Sequence, residues 1–381
     1  MKANHISLLT LLALLLPQFL LATVAFPAAA ATFDKRLSET YSVNNSGRVS
    51  LDNRYGEIKV VTWTQQQVKI DVLIQVQARN QDDADDVFDR IDVRLSGGSN
   101  SASAVTSISS GGGGSFWSNF FSFGGSSSDD YKIYYTISMP AGAQLDVAAK
   151  YCDVELPSLS GRTSLEVGYG DLIAGKLTGT NEVSVSYGSA RVDDLGPNST
   201  VRMRYSEGSF RHAGDLNYDG RYSESRFGQV GALRLDVGYE EIDVESATEI
   251  RLSGNYNELA VERVERVYLD GNYTDFNLGT VTKVLEMDGN YGDIEVERLA
   301  ADFVRVSIRA SYADVDIDVE DNSGFTLDLS ARYGDISVPT DGLTNREIRS
   351  EGSTESVKGT KSGSGTGTIR IETNYGDIEI Y

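Results

Sequence analysis

Apolar and polar residues alternate in short runs along most of this chain, and the runs recur at a nearly fixed distance. Leu51, Val147, Leu165, Val183, Leu235, Leu252, Leu269, Met287, Ile308 and Leu329 each stand four places before a tyrosine. Apolar residues follow the same kind of tyrosine at three and five places, as in Ile58 and Val60, Ile242 and Val244, Ile294 and Val296, or Ile336 and Val338. Period two is the strand period, because successive side chains of a strand leave opposite faces. The tyrosines are Tyr55, Tyr151, Tyr169, Tyr187, Tyr205, Tyr222, Tyr239, Tyr256, Tyr273, Tyr291, Tyr312, Tyr333 and Tyr375, and from Tyr151 their steps are 18, 18, 18, 17, 17, 17, 17, 18, 21, 21 and 42. The last step is double, which predicts a rung lacking its tyrosine in or around TNREIRSEGSTESVKGTKSGSGTG.

An acid stands two places after the tyrosine in twelve of the thirteen copies, Ser189 being the exception. The in-out alternation slips by one between the tyrosine and the strand after it. A bend or bulge is therefore expected at the Tyr-Gly-Asp corner, with glycine supplying the permissive backbone. A unit of 17 to 21 residues is too short for a strand and a full helix, but it accommodates two or three short strands. Coils of this size stack with each strand beside its equivalent, about 4.8 Å away. The expectation is an all-β protein, a parallel β-solenoid over residues 151–381, right-handed as crossovers between parallel strands are. Tyr169, Tyr187, Tyr239, Tyr256, Tyr273, Tyr291, Tyr312 and Tyr333 then form a ladder at the edge of a thin core. The ladder has two readings, aromatic stacking that fixes register or an exposed track that grips polysaccharide.

Residues 32–150 read as a first coil followed by an N-terminal β-rich cap, since a solenoid must cover its open end. Val68 to Val76 and Tyr131 to Met139 alternate as strands, and Ala84, Val87, Phe88 and Ile91 fall on one face of a short helix. An insertion at 96–130 has Gly/Ser flanks around Phe116, Trp117, Phe120, Phe121 and Phe123. It reads either as a cover folded over the cap or as a hydrophobic tip that docks on a partner or membrane surface. The Ser/Gly-rich stretch 340–368 reads as a polar, irregular segment.

Residues 1–31 have a charged start, an apolar run broken by Pro17 and a small-residue exit near Ala30 or Ala31, the pattern of a secretory signal peptide. No later apolar stretch approaches the ~20 residues of a spanning helix, and the strands look shorter than the ~9 to 11 residues of a membrane barrel. The formal net charge is -22, and loss of Lys2 with the leader takes it to -23. Such an excess of carboxylates sets a nucleic-acid role aside and suits solubility or cation binding. The single cysteine, Cys152, has no internal partner for a disulfide.

Little in the chain points to catalysis. His212 is the one histidine beyond the leader, and Cys152 reads as a small buried thiol. The acid column offers two chemistries, carboxylates that accept corner amides or a calcium site built on Asp275, Asp293, Asp314 and Asp335. Paired carboxylates could serve a polysaccharide-active enzyme, but every tier repeats the same acid and no pair is singled out.

The stretch YKIYYTISMPAGAQLDVAAKYCDVEL at 131–156, followed by serial GYGDL and NYGDIEV units, resembles a bacterial family of unknown function named for putative adhesins. The resemblance covers most of residues 35–381. It implies an exported protein with repetitive β-strand stacks and no transferable catalytic residues. The expected role is surface display or binding without enzymatic chemistry, toward a cell-surface or envelope protein or a glycan. The alternative is a periplasmic scaffold or sensor, in a Gram-negative envelope, that meets a protein partner through residues 116–123.

Overall fold

The computed structural model describes residues 30–109, 130–339 and 342–381. The leader up to residue 29 and the aromatic candidates Phe116, Trp117, Phe120, Phe121 and Phe123 lie outside the described residues. The described chain is a solenoid of parallel strands, as the repeat demands.

Its first rung is β2 (Arg48–Trp63), which follows β1 (Ala31–Ser42). The chain then builds the cap from β3 (Gln67–Ala78), α1 (Gln81–Phe88), β4 (Ile91–Gly98), β5 (Ser101–Ile108) and β6 (Asp130–Pro140) before resuming with β7 (Gln144–Leu156). Cap and first rung are continuous. The front half of β2 pairs with β5 and its back half with β6, both in parallel, and the sheet is extended outward by β4 on β5 and by β3 and β1 on β6, all antiparallel. The helix is short and amphipathic, with Asn80 accepting the Asp83 amide as its N-cap and Ala84, Val87 and Phe88 buried against the strands.

On the other side of β2, β7 starts the regular coils. Each coil has one strand before the tyrosine and one after it: β8 (Thr163–Gly168) and β9 (Leu172–Leu177), β10 (Asn181–Ser186) and β11 (Ser189–Leu195), β12 (Ser199–Arg204) and β13 (Glu207–Ala213). After β14 (Leu216–Arg221), β15 (Glu224–Gly238) runs unbroken from one corner to the next, and β16 (Glu241–Asn290) runs on across the corners at Tyr256 and Tyr273. The register is that of the repeat, for example Val183 beside Leu165 and Val201. The core is a double row of aliphatic side chains between two stacked sheets, with Leu165, Val183, Val201, Leu172, Val192 and Phe210 all at most 2% exposed. Burial of one such side chain is worth about 1.5–3 kcal/mol, so the tiers are held mainly by this strip and by the interstrand ladders.

Two expectations are corrected at the C-terminal end. The stretch at 340–368 is not irregular: β22 (Leu343–Glu351) and β23 (Thr354–Lys361) form an antiparallel hairpin, and Ser364 already begins β24 (Ser364–Asn374). Nor does any coil among the described residues lack its tyrosine: the double step is taken up by the hairpin. After β17 (Ile294–Leu299), the chain makes β18 (Arg305–Ser311) and β19 (Val315–Val319), then β20 (Ser323–Arg332) and β21 (Ile336–Ser337). β24 and β25 (Ile378–Ile380) then insert between these two coils: β24 pairs in parallel with both β18 and β20, and β25 with both β19 and β21. The hairpin closes this end, with β23 antiparallel on β20. Its polar composition follows from covering an edge with one face toward solvent.

Candidate binding surface

The thirteen corner tyrosines form one uninterrupted stack. Neighbouring ring centroids are 4.7 to 5.2 Å apart with interplanar angles of 1° to 21°. The order follows the chain to Tyr312 and then goes to Tyr375 and back to Tyr333. Twelve steps of about 4.8 Å give a track about 58 Å long. Tyr131 closes the first end edge-on against Tyr55, and Arg332 lies over Tyr333 at the other. All eight ladder tyrosines singled out from the sequence stand in this stack, joined by Tyr55, Tyr151, Tyr205, Tyr222 and Tyr375.

The corner is made by the tyrosine rather than by the glycine after it. Every ladder tyrosine has a φ between 50° and 62°, the left-handed region. A non-glycine residue there costs about 1–2 kcal/mol. The αL turn swings the ring off the core face, which accounts for the slip in alternation and leaves eleven of the rings 44–51% exposed. Its geometry is stabilised by the stack, each pair being worth about 0.5–1.5 kcal/mol, and by the tyrosine amide, which donates to the next tier, as from Tyr169 to the Ser186 carbonyl at 2.8 Å. The following glycine serves another purpose. A Cβ on Gly188, Gly292 or Gly376 would lie 2.0 Å from a carbonyl oxygen of the neighbouring tier.

At the five successive corners from Tyr205 to Tyr273 that glycine is replaced by a polar residue, whose side chain takes part in an interior ladder. Amides of Gly188, Ser206, Ser223, Glu240 and Asn257 donate in turn to the side chains of Ser206, Ser223, Glu240, Asn257 and Thr274, at 2.9 to 3.4 Å. Glu240 is the one carboxylate in this row, 3% exposed, accepting from the Ser223 amide and the Tyr218 hydroxyl, both at 2.9 Å. Burial pushes its carboxyl up to about 7.

The acid column divides into two kinds of corner. At aspartate corners the carboxylate accepts the amide of the next tier: Asp153 from Asp171, Asp275 from Asp293, Asp293 from Asp314, Asp314 from Asp377 and Asp377 from Asp335, at 2.8 to 3.2 Å. At glutamate corners the equivalent amides bond carbonyls instead, Glu207 to Gly188, Glu224 to Ser206, Glu241 to Ser223 and Glu258 to Glu240. The glutamate side chains are thus released from the corner. The carboxylates of Glu207, Glu241 and Glu258 make no hydrogen bond or ion pair among the described residues, and that of Glu224 pairs with Arg226. These four edge an open groove of about 880 Å³ whose other side is Tyr205, Tyr222, Tyr239 and Tyr256 and whose floor is Ser206, Ser223, Glu240 and Asn257.

The structure also rearranges the calcium candidates. Asp275, Asp293 and Asp314 are successive rungs, but Asp377 separates Asp314 from Asp335. One oxygen of Asp275, Asp293 and Asp314 is already engaged by an amide, which leaves their second oxygens for a hard cation. Among the described residues no group of three or more His, Cys, Asp or Glu is arranged to hold a metal ion. His212 is exposed on β13, and Cys152 is 2% exposed beside Asn53, its thiol pushed up to about 12 by burial. No helix among the described residues is long and apolar enough to cross a membrane. The glutamate groove went unrecognised in the sequence; its signal was the run of four 17-residue steps with Ser, Glu or Asn in place of glycine.

The family model Toastrack DUF4097 matches residues 117–381. The chain belongs to this family. Toastrack membership agrees with the resemblance read from the repeat and with the stacked parallel coils. Two solved structures are also similar in part. A "putative cell adhesion protein" from Clostridium sporogenes shares 10% identity, covering 91% of this chain and 99% of its own, with a TM-score of 0.17. A "putative adhesin" from Bacteroides fragilis shares 11%, covering 91% and 97%, with a TM-score of 0.26. Superpositions this loose leave the architecture resting on the chain's own strand register. No curated protein matches the chain.

Proposed function

We propose that this Toastrack protein is an exported, non-enzymatic binding protein, adhesin-like in role, whose contact surface is the groove between the tyrosine stack and the glutamates at 207, 224, 241 and 258. The supporting observation is the release of those carboxylates from the corner hydrogen bonds that occupy their aspartate counterparts. The stack disfavours the polysaccharide-track reading. Sugars pack on ring faces, and these faces are covered by one another, leaving edges and hydroxyls toward the groove. The favoured ligand is an extended cationic one, a basic protein surface or an amine-bearing polymer, since carboxylates repeating at strand spacing focus a negative potential along the groove.

Binding of purified protein to immobilised polylysine, with dextran as the neutral polymer, tests the surface. Binding should fall steeply with salt, and Gln at all four positions should weaken it by at least tenfold, on the order of 0.5 kcal/mol or more per charge. Unchanged affinity would remove the groove from the proposal. Protease treatment of intact cells tests the address. Digestion with a periplasmic marker spared fits display, whereas protection of both would turn attention to the periplasmic alternative and a deletion of residues 112–125.

A further inference from the structure

The last two strands of the solenoid, β24 and β25, are placed out of sequence order. β24 lies between β18 and β20, with Arg305–Ser311 on one side and Phe325–Arg332 on the other, both in parallel. It enters the slot through a two-residue connection from the hairpin, Ser362 and Gly363, with Gly365 at φ +79° just inside. Among the described residues it pairs with β18 and β20 alone, so its departure breaks the pairing of no other coil. Its departure would expose two facing rows of unpaired amides and carbonyls, and a strand of the right pattern is what such edges accept. The slot is selective: a Cβ at Gly376 would lie 2.0 Å from the Ala313 carbonyl, and one at Gly334 would lie 2.1 Å from the Gly376 carbonyl.

We infer that the slot between β18 and β20 accepts the C-terminal strand of a second copy of this chain, giving a strand-exchanged dimer. The occupant is the segment from Ser364 to Tyr381. Its Tyr375 ring completes the stack and its Ile369, Ile371, Ile378 and Ile380 fill the core strip. Exchange replaces every lost contact by the same contact in trans, so it costs little beyond association.

Cα partners Arg309 and Glu372 face solvent from adjacent strands. Full chains carrying Arg309→Cys are mixed with full chains carrying Glu372→Cys, incubated at high concentration and mildly oxidised. Adjacent strands hold such a pair within disulfide reach, so the mixture should give on the order of tenfold more cross-linked dimer than Arg309→Cys mixed with Glu166→Cys, an exposed position several tiers away. Equal yields from the two mixtures would overturn the inference. A second readout uses the unaltered chain and an excess of labelled peptide spanning residues 362–381. Time-dependent co-elution with the chain, absent for the Gly376→Val peptide, is expected; failure of both peptides to co-elute, or equal co-elution, counts against the slot.

Discussion

Replacing Tyr222 separates two quantities that oppose each other at every corner. Its ring stacks on Tyr205 at 4.9 Å and on Tyr239 at 4.8 Å, while its backbone sits at φ 57°. Tyr222→Ala removes both stacked pairs, about 1–3 kcal/mol in total at about 0.5–1.5 each, and keeps the left-handed strain. Tyr222→Gly removes the same contacts but relieves a strain of about 1–2 kcal/mol, less glycine's larger unfolded-state entropy of about 0.5–1 kcal/mol. The glycine variant is therefore expected to be the more stable of the two, by about 1 kcal/mol. At Tyr333, which stacks on Tyr375 alone, the alanine loss should be about half that at Tyr222. Urea unfolding followed by circular dichroism reads the difference as a shift in midpoint, valid where the slope stays constant. An alanine variant as stable as the glycine variant would refute the view that the corner tyrosine, not its neighbour, bears the strain.

Glu240 should give the protein an unusual pH dependence. Its carboxyl is raised from 4.5 to about 7, so between these values the folded state holds a proton that the unfolded state has lost, and stability falls as pH rises. The loss should reach about 3 kcal/mol by pH 8, and Glu240→Gln should abolish that slope; parallel stability curves for the two proteins would exclude it. Gly292→Val, whose Cβ would meet the Thr274 carbonyl at 2.0 Å, should cost about 1–3 kcal/mol or more. Gly352→Ala, at φ +62° with nothing within 4 Å, should cost about 1 kcal/mol, its strain less glycine's unfolded-state entropy, as thermal midpoints will show. Asp293→Asn keeps an acceptor for the Asp314 amide and removes one charge from the column, so it should be neutral or stabilising at low salt, whereas Asp293→Leu leaves that exposed amide to water and should cost about 0.5–1.5 kcal/mol.

The period, the tyrosines and the acid column were legible because each recurs in every coil, and recurrence in a stacked fold means adjacency. The cap helix was legible from the spacing of Ala84, Val87, Phe88 and Ile91. Rung order was not: the 42-residue step from Tyr333 to Tyr375 is compatible with any arrangement in which strands of one grammar pair, and only backbone pairing places Tyr375 before Tyr333. The stretch Leu343–Lys361 looked unstructured because an end-covering hairpin buries one sparse face, Val357 and Gly359 among them. The glycine in Tyr-Gly-Asp was read as conformational when its reason is clearance from a carbonyl, and a bare glycine does not distinguish the two. The groove depends on which amides a glutamate leaves to carbonyls; the run of 17-residue steps marks the place, but the repeat alone does not say what a difference of one methylene does there.

The placement of β24 also bears on how the molecule is made. A repeat array can ordinarily close tier by tier as it emerges from the ribosome or an export channel, each coil settling on the one before. Here β24 and β25 settle between two coils that are already made, so the coils of Tyr312 and Tyr333 stay apart until residues 364–381 insert. Removing residues 364–381 would not shorten the stack by its last rung; it would open it on both sides of Tyr375.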